Sequence, residues 1–385
     1  MILTLCHTNK AMIIDTTTLQ IKGLQIAESN LRRFEKLSST TAKPARYVFN
    51  SSDANVGYMP NLTIRMIPRA LGGYYTELDI QFSAPKIFYG TNYFGVMGQD
   101  FEKLTELLEN KLEYIFEGRI ITKAHLYYAD IKNIAYAFNF VLEQYPNPIE
   151  YLKLIPFLSM GKRYKKTKNT YYTEENEIGF CGRMYNKQMG FKIYCKGAEI
   201  INNAKSPQEL ETAIKIKNKQ LPFKVLRIEI TFQGRTPLKK YLANMTDKNA
   251  KRERNFFEVF NDSIAKRILI DAFNEIMNEL DVTAIDLPIY DIDECFSICK
   301  RAGLPYNDAL ALIGRSVMVR QTGALQLKLI GDAHYDRRKR SLADKRLEKV
   351  LAEHPLQHFQ FKQIIDECKK QLVDFRIMKP EKLAL

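Results

Sequence analysis

Along several stretches of the first 240 residues, apolar and polar positions alternate with a period of two, the mark of strands buried on one face. In LRIEITF, Leu226, Ile228, Ile230 and Phe232 fall on one side, and Arg227, Glu229 and Thr231 on the other. FKIYCKG sets Phe191, Ile193 and Cys195 against Lys192, Tyr194 and Lys196, and TELDIQFS sets Leu78, Ile80 and Phe82 against Glu77, Asp79, Gln81 and Ser83. A slip of one residue would bury the charges, so the facing of each strand is well specified. Helical patches, FEKLTELLENKLEYIF and SPQELETAIKIKNKQ, lie between the strands. From about residue 245 the period becomes helical, through KRERNFFEVFNDSIAKRILIDAFNEIMNEL, PYNDALALIGRSVMVR, SLADKRLEKVLAEH and a last helix near 357–376. The polar, basic join TPLKKYLANMTDKNAKRERN reads as a linker. The expected fold class is α+β, with a domain over 1–240 followed by an all-α domain over 245–385.

PKIFYG (85–90) is similar to FKIYCKG (191–197), and each is followed by a helical patch and then a strand, ITKAHLYYADI (121–131) or FKVLRIEITF (223–232). The two offsets, about 106 and 102, are nearly equal. This pattern predicts a pseudo-duplicated antiparallel sheet with helices on one face and an open polar face opposite.

The polar face mixes groups with a shared use. Lysine and arginine suit phosphate oxygens, a carboxylate can hold Mg²⁺ or Mn²⁺, and a tyrosine oxygen can act as a covalent nucleophile. Free tyrosine is protonated at neutral pH, so neighbouring cations or a metal-bound phosphate would have to favour the phenolate. The plain alternative is a solvated sheet face. Tyr194 has a rival in GRMYNK, where Arg183, Tyr185 and Lys187 share a side, and side-chain chemistry alone leaves both tyrosines open.

Composition narrows the partners. Lys+Arg number 58 against 44 Asp+Glu, a net charge of +14 that favours polyanions, nucleic acid ahead of membrane. The 45% hydrophobic content supports an ordinary core. No run reaches the ~18 apolar residues of a membrane helix, and the start lacks the pattern of a secretory signal. The six cysteines, at 6, 181, 195, 295, 299 and 368, form no CxxC pair and are expected as reduced thiols. A cytoplasmic protein without membrane contact is expected. His125 stands alone and is read as a structural residue on a strand.

Four stretches together resemble the gene II/gene X replication proteins of filamentous phages and, more remotely, the rolling-circle initiators of small plasmids. MIIDTTTL (12–19) is similar to the opening strand of that family, with Asp15 and Thr16 as its Asp-Thr pair. SAPKIFYGTNYFGV (83–96) matches through Pro85, Lys86, Gly90, Asn92, Phe94 and Gly95, with Thr91 where the family has histidine. FKIYCKGAEI matches through Lys192, Tyr194, Lys196 and Glu199, and LRIEITF through Arg227 and Glu229. The resemblance spans roughly residues 12–240 and implies an origin-specific nickase in a bacterial host cell. Tyr194 would attack the scissile phosphate, remain joined to the 5′ end and free a 3′ hydroxyl, then rejoin the strand after a round of replication. Lys192, Lys196 and Arg227 would stabilise phosphate charge, and Glu229 would hold Mg²⁺ or Mn²⁺; strand position adds Asp130 or Asp79 as a second carboxylate, each equally readable as an exposed strand residue. Lys86, Asn92, Arg183 and Lys187 would contact origin DNA, single-stranded or supercoiled, and a host helicase and polymerase are further candidate partners. Glu199 also reads as a plain helix-start carboxylate, and Gly90 and Gly95 as turn residues or points of close DNA approach.

Beyond residue 240 nothing matches. The basic run holding Arg337, Arg338 and Arg340, and a turn near Gly323 between two short helices, suggest a DNA-docking helix-turn-helix. KRYKKTKNTYY (162–172) reads as a mobile DNA-gripping loop, and the tyrosines of NTYYTEEN and HLYYAD as surfaces that stack bases. The competing readings are a non-cleaving origin-binding protein of the same fold, a tyrosine recombinase or telomere-processing enzyme, and a packaging protein.

Overall fold

A computed structural model describes residues 14–37, 45–50, 57–69, 74–145, 165–166, 170–174, 177–185, 189–245, 255–277, 292–310, 313–314 and 360–374. Residues 165–166, 170–174 and 177–185 are described by backbone only. The strands are β1 (Ile14–Lys22), β2 (Glu35–Leu37), β3 (Ala45–Phe49), β4 (Asn61–Pro68), β5 (Tyr74–Ser83), β6 (Asp130–Val141), β7 (Lys165–Lys166), β8 (Thr170–Glu174), β9 (Glu177–Tyr185), β10 (Met189–Cys195) and β11 (Val225–Gln233). They build one antiparallel sheet in the order β2-β3-β4-β5-β1-β6-β11-β10-β9-β7, with β8 also paired to β9. The helices are α1 (Ala84–Tyr89), α2 (Phe101–Phe116), α3 (Lys123–Tyr127), α4 (Lys196–Asn203), α5 (Pro207–Lys217), α6 (Arg235–Met245), α7 (Phe256–Val259), α8 (Asp262–Met277), α9 (Ile292–Arg301) and α10 (Gln360–Asp374).

The chain divides into two compact units, one over 1–143, 165–272 and 371–385, the other over 144–164 and 273–370. In the first unit, one face of the sheet is apolar and buried along β5, β6 and β11. Leu78, Ile80 and Phe82 of β5, Ile134, Tyr136, Phe138 and Phe140 of β6, and Ile228, Ile230 and Phe232 of β11 are buried on it. Phe256 of α7 packs edge-on to Phe82 at 6.0 Å, Tyr241 of α6 meets Phe232 at 5.3 Å, and the Tyr136 hydroxyl donates to the Val259 carbonyl at 3.1 Å. The elements described in the second unit are helical, and no described helix is long and apolar enough to cross a membrane.

Several local expectations change. PKIFYG is helix rather than strand: Pro85 lacks an N–H and has a preset backbone, which suits a first helical turn, and Gly90 ends α1 with φ of 72°. The segment 121–131 is also no strand. Thr122 and His125 cap α3, with His125 Nδ1 accepting from the Thr122 amide, so His125 is helical and the strand begins at Asp130. FKIYC runs directly into a helix. Cys195 is its N-cap, accepting from the Ala198 amide, so Lys196 lies in α4 and not on the strand. The runs β4-β5-α1-α2-α3-β6 and β9-β10-α4-α5-β11 share an order apart from α3, and β6 pairs with β11 at the centre. However, β1 lies between β5 and β6 and has no counterpart between β10 and β11.

The polar face is not open along its whole length. At the upper ends of β6, β10 and β11 it is roofed by the 91–96 segment, α4 and α5, whose Tyr93, Ile200, Ala213 and Ile216 form a cluster with Val225 of β11. The roof is tight. A Cβ on Gly197 would lie 2.1 Å from the Phe223 carbonyl oxygen, a backbone atom that cannot swing aside. Gly197→Ala is expected to cost about 3 kcal/mol, the upper range for overpacking, read as a lowered denaturant midpoint.

Candidate active site

Under the edge of this roof the strand pairing assembles a cluster that residue spacing alone does not guarantee. Lys192 of β10 is opposite Glu229 of β11, and Tyr194 is opposite Arg227, so all four share the polar face. On the other side of β11, Arg227 pairs with Asn139 and Glu229 with Ala137. The small residues at 135 and 137 leave room beside Glu229, while Asn139 fills the place beside Arg227. A bulge between Ile14 and Thr17 of β1 adds Asp15 to the same face.

Tyr194 donates its hydroxyl to Glu229 Oε1, and Lys192 Nζ donates to Glu229 Oε2 at 3.0 Å. Arg227 is fully buried. Its Nε donates to Asn139 Oδ1 at 2.8 Å and its NH2 to the Asn92 carbonyl at 2.7 Å. NH1 has no hydrogen-bond partner among the described residues, and Asp15 Oδ1 lies 3.7 Å from it. Lys196, also fully buried, donates to Asn92 Oδ1 at 2.8 Å and to Glu199 at 2.5 Å. Its ammonium stands 5.8 Å from the centre of the Tyr194 ring.

The charges settle unevenly. Burial pushes the Tyr194 phenol well above its ordinary range, and Glu229 adds to this, against Arg227. Arg227 therefore does not offset burial and Glu229, and the protonated phenol is favoured. Burial also works against the Glu229 anion, but Lys192, Arg227 and the hydrogen bonds from Tyr194 and Lys192 outweigh it, and its pKa falls to about 2. Asp15 goes the other way, because burial and the nearby Glu229 raise it more than Arg227 and Lys196 lower it. Burial lowers the Lys196 ammonium despite Glu199.

These shifts have opposite consequences for stability. Glu229, depressed from the usual 4.5 to about 2, contributes stability that is present above the usual value and drains as pH falls from about 4.5 towards 2. Asp15, raised, contributes stability only while protonated and loses it as pH rises through its raised pKa. In thermal melts across pH, Glu229→Gln is therefore expected to lower the midpoint at neutral pH, with the difference vanishing in acid. Asp15→Asn is expected to raise the neutral midpoint and leave the acid midpoint unchanged.

The expected metal ligands do not gather. Asp130 sits seven residues along β6 from the partner of Glu229, roughly 20 Å at the usual rise of a strand. There it pairs with Lys22 at 3.9 Å. Asp79 lies at that same end, held by Lys132 at 2.7 Å, Arg65 at 3.2 Å and Gln20 at 3.1 Å. Asp15 and Glu229 are the carboxylates that meet beneath Tyr194. Among the described residues no group of three His, Cys, Asp or Glu side chains forms a cation site. Glu229 already accepts from two donors and Asp15 faces Arg227, so this donor set does not fit a resident Mg²⁺ or Mn²⁺.

The other candidates scatter. Lys86 pairs with Glu209 at 2.6 Å, and Asn92 serves the roof rather than an open surface. Thr91, in place of the family's histidine, is buried and accepts from the Tyr93 amide at 3.3 Å. In backbone register Arg183 is opposite Lys192, and Tyr185 is opposite Gly190, four residues or roughly 13 Å along β10 from Tyr194. Lys187, Arg337, Arg338 and Arg340 lie outside the described residues, as do the turn near Gly323 and most of 162–172. Asn139 escaped the sequence reading because its strand was placed too early. Its signal is the alternation in IAYAFNFV, with Ala135, Ala137 and Asn139 on the side away from the aromatics.

No family model matches the chain, and no curated protein matches it by sequence. The chain is similar to the solved structure of a rolling circle replication initiator protein from Geobacillus stearothermophilus, at 11% identity and a TM-score of 0.30, over 69% of this chain and 84% of that one.

Proposed function

We propose that this chain starts rolling-circle DNA replication by nicking one strand at an origin, with Tyr194 as nucleophile. The observation that supports the reading is the buried Arg227, whose NH1 has no hydrogen-bond partner among the described residues, beside the Tyr194–Glu229–Lys192 cluster. A guanidinium atom left without a partner in a buried site is costly unless an anion completes it, and a phosphodiester oxygen is such an anion. The phosphate enters from the Lys192 side, where that side chain is 37% exposed. Tyr194 Oη attacks phosphorus as its proton passes to Glu229. The P–O3′ bond breaks, the 3′ oxygen takes a proton from solvent, and the 5′ phosphate stays on tyrosine. Because the phenol is held protonated at rest, Glu229 is needed as base, and Arg227 with Lys192 offsets the charge that develops on the phosphate. The reverse reaction rejoins the strand. The four matching sequence stretches favour an initiator of the filamentous-phage gene II/gene X kind over a plasmid one.

The experiment is to trap the protein on single-stranded and supercoiled origin DNA, digest it and read the mass of the nucleotide-bearing peptide, in Mg²⁺, in Mn²⁺ and in EDTA. A nucleotide on Tyr194 supports the reading, and one on Tyr185 moves the nucleophile to β9. The burial of Tyr194, 6% exposed, favours a second reading, origin binding without cleavage. DNA binding with no adduct under any condition would select it.

A further inference from the structure

One line of side chains crosses the open part of the polar face. Asn61 of β4 is paired with Gln81 of β5, Gln81 with Thr18 of β1, Thr18 with Asn133 of β6, and Asn133 with Gln233 of β11. The strand pairings thus align five uncharged hydrogen-bonding residues, four of them amides, across five adjacent strands. At the usual ~4.8 Å between strands the row runs about 19 Å. Asn61, Gln81 and Gln233 are exposed and Asn133 is half-buried. Gln233 shares its face with Glu229, four residues or roughly 13 Å away along β11.

This composition is unusual for a solvated face. Asparagine is depleted in strands, where threonine or a charged residue serves water as well. The rows beyond it are charged and internally compensated: Asp79 takes Lys132 and Arg65, and Asp130 takes Lys22. The exposed amides of the row therefore present donors and acceptors rather than charge, while Thr18 is buried and Asn133 Oδ1 accepts from the Gly234 amide at 3.1 Å. Amides read base edges, with Asn and Gln meeting adenine in two hydrogen bonds. Duplex DNA shows those edges only inside a groove about 12 Å wide, which a flat five-stranded surface cannot enter. A single strand can splay its bases onto such a surface.

Resting on the nickase reading, we propose that the row Asn61–Gln81–Thr18–Asn133–Gln233 binds bases of the same single DNA strand whose phosphate is held at Arg227, several nucleotides from the nick, and so sets which sequence is nicked. The row lies on the same face as that phosphate site, six residues or roughly 20 Å from Arg227 along β11, and the net charge of +14 suits a polyanionic occupant. The strand lies across the sheet, its bases over the amides and its phosphate at the edge of the roof.

The test separates base reading from chemistry. A randomised single-stranded oligonucleotide pool is selected on the Tyr194→Phe protein, and the winner is compared with homopolymers by fluorescence anisotropy across a salt series. Gln81→Ala and Gln233→Ala, both at exposed positions, are added singly and together in that background. The expected result is a loss of about tenfold or more in affinity for the selected sequence, with homopolymer affinity and salt slope unchanged. An equal loss on every sequence, no loss at all, or a change only in self-association by sedimentation would overturn the proposal. If discrimination collapses in the amide variants while adducts map to another tyrosine, the row stands and the assignment of Tyr194 falls. If the same amide substitutions in a protein that keeps Tyr194 give Tyr194 adducts with unaltered base preference, the row falls and the nickase stands.

Discussion

Replacing Tyr194 with phenylalanine is expected to abolish the covalent adduct and lower strand cleavage by at least about 10⁴-fold, the scale of removing a covalent nucleophile. Folding should survive. The ring is kept in its buried site, and Glu229 retains its bond to Lys192 at 3.0 Å, so the carboxylate loses one donor but stays paired. The structural cost is on the order of 1–3 kcal/mol, that of one missing buried hydrogen bond. Binding to single-stranded origin DNA should remain within a few-fold of wild type, since Arg227 and Lys192 are untouched. Quantitative adduct formation by the phenylalanine variant would sink the assignment. Full activity lost only in Tyr185→Phe would place the chemistry on β9.

The second large effect is expected at Arg227. It is the buried cation that faces both Asp15 and Glu229, and it also ties β11 to Asn139 on β6 and to the Asn92 carbonyl in the roof. Arg227→Met should destabilise the sheet unit by about 3–5 kcal/mol, because Asp15 loses the guanidinium that faces it and Glu229 keeps Lys192 alone as counter-charge in a dry site. Adding Asp15→Asn to that variant should recover part of the loss by removing one of the uncompensated acids. Denaturant midpoints of the single and double variants measure both terms. An Arg227→Met protein as stable as wild type would mean that the ion cluster contributes nothing to the fold.

Alternation made much of this legible. The facing of 226–232 and 191–195 follows directly from period two, and the meeting of Tyr194, Arg227 and Glu229 on one face is a consequence of that facing plus register. What alternation cannot carry is a roof. Arg227 and Tyr194 fall on the polar side of their strands yet are buried, because a segment more than a hundred residues away folds over them. Nor does it separate a strand end from a helix start one residue later, which is where Lys196 was misplaced: KGAEI continues the polar–apolar rhythm while Cys195 caps a helix. The aromatic pair in HLYYAD suggested a strand, but the Thr122–His125 cap took those residues into α3 and left the strand to the residues after it. The metal expectation joined carboxylates on different strands without knowing their order, and Asp79 and Asp130 proved to lie at the far end.

The place of β1 has a consequence for biosynthesis. Its two neighbours are completed at residues 83 and 141, so a growing chain holds this segment with one bare flank until the second neighbour leaves the ribosome. Bare flanks of this kind invite pairing with other chains. Nascent chains stalled with residue 141 still inside the exit tunnel should be cleaved by protease within Ile14–Lys22 and aggregate once released. Chains stalled after both neighbours have emerged should resist, and equal sensitivity of the two would show that this flank is shielded by something else.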